Sequence, residues 1–480
     1  MFDIDQGHRL AFSLVLGVAV PGIVAAGLLG GRPAAAAEPA GMATKNLADS
    51  APTRFDIHVD NLSHRDAAVV PPWKTIRLDP AFCGGWLVVG DLTGDGVAEL
   101  VSARNGVPGP DIHYTSSVVV HRLDGSVLWK WGDPDARNAI HHDVACQIHD
   151  LDGDGRHEVV LAADRRVVIL NGATGSELRQ FEIPANASDC ITFCDLSGVG
   201  RPSDMLVKTR YTQIWAYDAN GKLLWTVKKP GGYRTAHQPF PIDLDGDGHD
   251  EIIAGFAALN HDGSLRWRLP DQVCQSGGHA DAIRLFEDGD RAEDKRFLLT
   301  HCGGNRMDML NGEGNVLWSV TGLHFESVFF GELDKNLPGR ELVVDICHQP
   351  WGNQPLLILD ESGGGLLGRY TTMRSRQHRL VDWFGDGEDL IFGGQTRALL
   401  DAHGKIRASF LTPMPDGTSA QDDTEPLRYM IHLADVTGDG RPDLVVSTVP
   451  GTAVWIYRNE KGAKCLAPER LTLPFNATLY

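Results

Sequence analysis

The chain is short of positive charge: Lys and Arg number 44 against 63 Asp and Glu, a formal net charge of −19. Phosphate recognition runs on clustered cations, so this balance argues against a nucleic-acid binder. The 8 cysteines include no C-x-x-C pair, which leaves a zinc knuckle or a thioredoxin-like redox motif without support. Cys190 and Cys194 are spaced for a local disulfide, with buried thiols as the alternative. Aromatic residues make up only 8% of the sequence, and no segment alternates polar and apolar residues at the rhythm of a lipid-facing barrel strand. Helical periodicity is almost absent. With 42% hydrophobic and 22% charged residues over 480 positions, what remains is an ordinary globular composition able to bury a large core.

The first residues read as a targeting segment. Leu10 to Leu29 is an uncharged apolar run after Arg9, and Arg32-Pro33-Ala34-Ala35-Ala36-Ala37 follows it. A small-residue stretch behind such a run is what a signal peptidase cuts, which predicts a signal peptide over 1–37 and cleavage near Ala36 or Ala37. A retained anchor is the alternative, weakened by Pro21 and the many Gly and Ala. The expected location is secreted, periplasmic or at the cell surface.

Internal repetition dominates the remainder. DLTGDGVAEL begins at Asp91, DLDGDGRHEVV at Asp150, DLDGDGHDEII at Asp243 and DVTGDGRPDLVV at Asp435, with weaker copies at Asp195, Leu285, Glu332 and Asp382. These eight units are spaced about 49 residues apart, the length of a four-stranded propeller blade. A second signature follows each loop: LDGSVLW at Leu123, LNGATGSEL at Leu170, YDANGKLLW at Tyr217, LNHDGSLRW at Leu259 and LNGEGNVLW at Leu310. These are hairpin turns in which Gly or Asn supplies positive φ ahead of an outer strand. The predicted fold is all-β, a propeller of about eight four-stranded blades over 85–480, preceded by an N-terminal segment, 38–84, that closes the ring. Seven blades remain open if the Leu285 unit is an insertion.

The acidic loops point to a hard cation. Asp150, Asp152, Asp154 and Glu158 stand at the first, third, fifth and ninth positions, and Gly between them permits the tight turn that oxygen ligation demands. An EF-hand would place its last acid at position twelve between helices; here it is at nine between strands. Asp91, Asp95 and Glu99, then Asp243, Asp245, Asp247 and Glu251, then Asp435, Asp439 and Asp443 repeat the pattern, with Thr93 and Thr437 at the third position of two loops. Four calcium ions at these loops would offset about eight of the surplus negative charges. Repetition in blade after blade assigns them a folding role, with one further ion in the channel as a candidate for chemistry. The loops at Asp195, Leu285 and Glu332 lack full ligand sets.

Strands A and B of a blade are antiparallel, so their acidic connections share one end of the ring and chemistry-bearing residues gather at the other. Just before the A strands stand His141 and His142, Tyr233, Arg234 and His237, His279 with Asp281, His324 with Glu326, and Arg376, His378 and Arg379. The B–C loops add His113, Lys208, Arg210, Tyr211, His301 and Trp351. Any one of these is more often a satisfied structural residue than a catalyst. Their recurrence at one blade position builds a basic mouth on an acidic protein, suited to a polyanion, with Trp351 and the tyrosines offering faces for sugar rings.

The succession GDLTGDGVAEL, HRLDGSVLWKW, NAIHHDVACQIHDLDGDGRHEVV, YRTAHQPFPIDLDGDGHDEII, GGHADAI and GELDKNLPGRELVV resembles the propeller-type rhamnogalacturonan lyases, polysaccharide lyase family 11, over nearly all of 85–460. It is related more widely to FG-GAP and VCBS repeat propellers. The resemblance implies a secreted, calcium-rich, eight-bladed propeller that cleaves uronate-containing pectic chains by β-elimination. Smaller lyases of rhamnosyl-glucuronate or ulvan-type linkages are close alternatives, and no room is seen for the family's additional β-sandwich domain. In such a reaction Arg210, Arg234 or a channel calcium would offset the C6 carboxylate, His142 or His237 would remove the C5 proton, and Tyr211 or Tyr233 would protonate the leaving oxygen with help from Lys208. His141, His279, His324, Trp351, Arg376 and His378 are the candidate substrate contacts. The expected partner is an acidic polysaccharide, with neither nucleic acid nor an integral membrane protein, and a monomer is expected. Two other readings stand beside it: a non-catalytic binding or adhesion propeller, and a quinone-dependent dehydrogenase, whose blades carry Trp-docking motifs rather than acidic loops.

Overall fold

The computed structural model describes residues 43–47, 55–58, 64–106, 113–136, 145–274, 277–347, 356–362, 365–371, 378–394, 396–413, 429–448, 452–464 and 477. The leader expected over 1–37 lies outside them. Among the described residues eight sheets of four consecutive antiparallel positions follow one another, so the ring has eight blades. The Leu285 unit is the inner strand of the fifth, which removes the seven-bladed alternative.

The inner strands, lettered A, are Trp86–Gly90, Cys146–His149, Ile191–Cys194, Thr235–Ile242, His279–Glu287, His324–Gly331, His378–Val381 and Tyr429–Ala434. B strands such as Glu158–Ala163 (EVVLAA) are buried along their whole length, because sheets of neighbouring blades cover both faces; this is why the sequence there runs apolar instead of alternating. Outer D strands such as Glu177–Glu182 (ELRQFE) are mostly exposed. The last blade takes its fourth strand from near the start of the chain: Lys74–Arg77 pairs antiparallel with Ala453–Tyr457. On the way there the chain adds a fifth, parallel strand to three outer edges, Ala43–Asn46 on blade 5, Phe55–His58 on blade 6 and Ala68–Val70 on blade 7. Edges that would otherwise be open to pairing are thereby covered.

The Gly-turn signature has a second purpose that the sequence reading missed. At four of the turns a Trp follows and docks on the equivalent turn of the next blade: Trp129 Nε1 donates to Gly172 O at 2.6 Å, Trp225 to His261 O at 2.8 Å, Trp267 to Gly312 O at 2.9 Å and Trp318 to Glu361 O at 3.0 Å. Gly314 shows why the turn must lack a side chain: its φ is +81, and a Cβ would come within 2.6 Å of the Trp267 ring. Trp docking is therefore present alongside acidic loops, so its supposed absence does not separate this chain from the dehydrogenase propellers. Cys194 is a buried thiol outside any disulfide, and the local Cys190–Cys194 bridge does not form.

Candidate functional site

At the end of the ring opposite the acidic loops, adjacent blades bring their strand starts together. Blade 4 contributes His237 and blade 5 contributes His279 and Asp281, all buried; blade 6 contributes His324 and Glu326. Asp281 is the hub. Its Oδ1 lies 3.1 Å from His279 Nε2 and 3.4 Å from His237 Nε2, and its Oδ2 lies 3.7 Å from His324 Nε2. The Nε2 atoms of His237 and His279 are 3.2 Å apart, and His324 Nε2 is 3.5 Å from Glu326 Oε1. Burial opposes ionisation of Asp281, but hydrogen bonds from the three imidazoles outweigh it and hold the carboxyl below the usual range. Desolvation pushes His279 towards the neutral form. Ligand atoms of His237, His279 and Asp281 all fall within 4.8 Å of one another, a spacing able to hold a metal ion, and those of Asp281, Cys302 and His324 do the same.

Tyr211, from the B–C loop of blade 3, closes over this cluster. Its ring is 4.4 Å from that of His279 and 5.7 Å from that of His237. Two guanidiniums attend it: Arg210 Cζ is 5.3 Å and Arg234 Cζ 5.1 Å from the ring centroid, and Arg210 Nε donates to the Tyr211 hydroxyl at 3.0 Å. Arg234 is exposed and Arg210 half-buried. Behind them sits a buried group at Asp189, whose Oδ1 lies 3.6 Å from Arg210 Nη1 and 3.8 Å from His113 Nε2.

Other expected site residues are placed differently. Lys208 is fully buried, and its ammonium is committed to Asp189 Oδ2, to Thr209 O at 3.0 Å and to Arg210 O at 2.8 Å; it organises the loop rather than meeting a ligand. The Tyr233 hydroxyl is turned to Leu269 O at 2.9 Å and Asp271 Oδ1 at 2.6 Å, away from the cluster, and burial raises its pKa. His378 is buried, donates from Nε2 to Val343 O at 3.0 Å, and is driven down to about 3 by desolvation, so it stays neutral inside the protein instead of facing a substrate. His301 is likewise buried, stacked on Phe256 at 4.5 Å with Nε2 2.8 Å from Asp308. His141, His142, Trp351 and Arg376 lie outside the described residues. Asp189 and Cys302 were missed. Asp189 occupies the same position just before an A strand that picked out His237, and Cys302 is the register partner of His279.

The acidic loops share a self-contained scaffold. Asp150 Oδ1 accepts Gly153 N–H at 2.7 Å and its Oδ2 accepts Gly155 N–H at 3.0 Å, while Glu158 Oε2 accepts Leu151 N–H at 2.9 Å. Asp150, Asp152 and Glu158 present oxygens within 4.8 Å of one another, as do Asp243, Asp245 and Glu251. Burial, reinforced by neighbouring carboxylates, raises Glu158 and Glu251 to about 7. Arginines also reach these acids: Asp154 pairs with Arg156 at 2.7 Å, Asp245 with Arg266 at 2.7 Å and Asp439 with Arg458 at 3.0 Å. Asp91 of the first loop and Asp435 of the last hold their glycine amides in the same way, with Asp91 Oδ1 to Gly94 N at 2.7 Å and Asp435 Oδ1 to Gly438 N at 2.8 Å.

Fold and site together define an eight-bladed, acidic-loop propeller with a His/Asp-centred channel mouth. No family model matches the chain. It is 26% identical over 434 residues to the rhamnogalacturonan endolyase YesW of Bacillus subtilis (strain 168), covering 77% of this chain and 66% of the relative. It is 25% identical over 296 residues to the rhamnogalacturonan exolyase YesX of the same organism, covering 48% of this chain and 47% of that one. The chain thus spans just under two-thirds of the first relative's length and about half of the second's. The crystal structure of rhamnogalacturonan lyase YesW superposes with a TM-score of 0.57 at 21% identity, over 82% of this chain and 77% of that one, which is a likeness of fold.

Proposed function

We propose that the chain is an exported polysaccharide lyase that cleaves a uronate-containing, rhamnose-rich polysaccharide of the rhamnogalacturonan type by β-elimination. The observation that carries this reading is Tyr211 packed on the His237, His279 and Asp281 cluster with a guanidinium from Arg210 and another from Arg234 beside it. Similarity to two rhamnogalacturonan lyases supports it.

The reaction needs a neutralised C6 carboxylate, an acceptor for the C5 proton and a proton for the leaving oxygen. Arg234, exposed, and Arg210 would meet the carboxylate. Tyr211 would take the C5 proton: the C–H electron pair becomes the C4=C5 bond, the C4–O bond breaks, and the departing oxygen takes up the proton that Tyr211 has gained, which returns the phenolate. The hydrogen bond from Arg210 Nε favours the phenolate that this requires. The donor set of His237, His279 and Asp281 fits a divalent cation. When bound, such an ion would add positive charge near the substrate carboxylate. His237, His279 and Asp281 would be the residues that hold such an ion, and Tyr211, which stands outside that donor set, would act as the proton acceptor. The all-oxygen sets of blades 2 and 4 suit structural calcium.

The test is ultraviolet absorbance of the conjugated uronate product, with purified protein and calcium, on rhamnogalacturonan I, gum arabic, ulvan and homogalacturonan. A rise on rhamnogalacturonan I is expected. A flat trace on all four, with calorimetric binding retained, would replace the lyase by a non-catalytic carbohydrate-binding propeller.

A further inference from the structure

Deeper along the channel wall, beyond the mouth, three consecutive blades place one side chain each in a stack. Arg284 comes from blade 5, Phe329 from blade 6 and Arg379 from blade 7. The Arg284 Cζ is 5.0 Å and the Arg379 Cζ 4.7 Å from the centroid of the Phe329 ring. All three remain partly open, while the residues flanking Arg284 on its strand are buried. Among the described residues each guanidinium donates to a carbonyl of its own strand, Arg284 Nη1 to Ile283 O at 3.0 Å and Arg379 Nη1 to His378 O at 2.8 Å. Among the described residues neither has a carboxylate partner.

This is an expensive arrangement. Two like charges share a poorly solvated wall, and burial, with mutual repulsion at Arg284, lowers proton affinity to about 9 for Arg284 and about 10 for Arg379. An arginine rarely sits so enclosed without an anion, because each fork of donors left unmatched forfeits the hydrogen bonds it had in water. The neighbouring imidazoles cannot help: His378 and His432 are buried and held neutral near pKa 3. A planar carboxylate at the ring edge would accept from both forks, while Phe329 would give a sugar ring an apolar surface.

Distance along the strand narrows the ligand. Arg284 follows Asp281 by three residues, with a bulge between Ala280 and Ile283, which is roughly 7 to 10 Å along the strand. That is of the order of one disaccharide, and a polymer with a uronate in every second residue would bring its next carboxylate to this depth. We infer that Arg284 and Arg379, bracketing Phe329, form a second carboxylate-binding point for the uronate one disaccharide away from the residue held at the mouth. The inference rests on the polysaccharide reading above and adds a subsite to it.

Titration calorimetry of the full chain decides it, using a rhamnogalacturonan tetrasaccharide, D-galacturonate and D-galactose as probes of the wild type, Arg284→Gln and Arg379→Gln. Each substitution should weaken tetrasaccharide binding at least tenfold and reduce its salt dependence, with galactose bound by none of the three proteins. The melting temperature of each variant should hold or rise, since an unmatched charge has been removed; a variant that fails to fold leaves the decision to the other. Tetrasaccharide affinity unchanged in a folded variant overturns the proposal. Loss of affinity through these arginines in a protein that releases no unsaturated product would sink the lyase and keep the subsite.

Discussion

The two ends of the ring are built by opposite rules. At the acidic end each loop completes itself: Asp243 takes the Gly246 and Gly248 amides, and Glu251 takes that of Leu244, all within nine residues. At the mouth no blade suffices, because Asp281 is met by His237 from one neighbour and His324 from the other, and Tyr211 arrives from a third. A local rule can be repeated and so can be read from a sequence. A constellation shared among blades has no period of its own, and only ring closure creates it.

That difference accounts for what was legible. Blade number, strand order and the loop scaffold follow from motifs that each carry their own hydrogen bonds. Position before an A strand picked out His237, His279 and His324, which the structure brings together around Asp281, since every A strand starts at the same end. It equally picked out Tyr233 and His378, whose side chains turn into the protein, because strand position fixes the end of the ring and leaves rotamer and packing undetermined. Lys208 misled for another reason: its place in a B–C loop put it at the mouth end, whereas the buried Asp189, which stands just before an A strand, absorbs its charge. The Trp in LDGSVLW was seen as strand and proved to be the contact between blades.

The largest expected effect separates the ends outright. Tyr211→Phe removes one hydroxyl at the mouth and should lower turnover by roughly 10² to 10⁴-fold, the usual worth of a positioned proton carrier, with the melting temperature preserved. Turnover within threefold of wild type would strip Tyr211 of that role. Gly314→Ala acts on the repeated architecture instead. It forces a side chain into the left-handed region against Trp267, costing about 2–4 kcal/mol, read as a fall in denaturation midpoint while the residual folded enzyme keeps its kcat.

Acidity sets the acidic loops against imidazoles buried inside the blades, since the two respond with opposite signs. His378 and His432, near pKa 3, and His149, near 4, are neutral in the fold, while an unfolded imidazole titrates near 6.5. The unfolded chain binds more protons below that pH, so stability falls as pH drops from 6.5, by about 1 kcal/mol per group one unit lower. Glu158 and Glu251, near 7 in the fold, do the reverse: without a cation they take up protons more readily when folded and add stability as pH falls towards the unfolded carboxyl range. Calcium in the loops would remove that second response. The drop in melting temperature between pH 6.5 and 5.5 should therefore be larger in calcium than in chelator, and an equal drop would mean that the loops hold no ion.

The smallest expected effect compares one acidic loop with another. The loop of blade 3 keeps the same backbone scaffold, with Asp195 accepting the Val199 and Gly200 amides at 2.9 and 2.6 Å, yet it offers Ser197 and Val199 where blade 4 has Asp245 and Asp247. Scaffold and ligand set are thus separable: the first-position Asp and the glycines make the turn, and the third-position acid, absent from blade 3, joins Asp243 and Glu251 in the oxygen set of blade 4. Asp245→Asn should reduce the gain in melting temperature on adding calcium by on the order of 1–2 °C, one site among several in a large ring. Ser197→Ala in blade 3 should leave that gain unchanged. Equal losses from both substitutions would show that the calcium response belongs to the turn geometry and not to the carboxylates, which would return the acidic loops to the class of purely hydrogen-bonded turns.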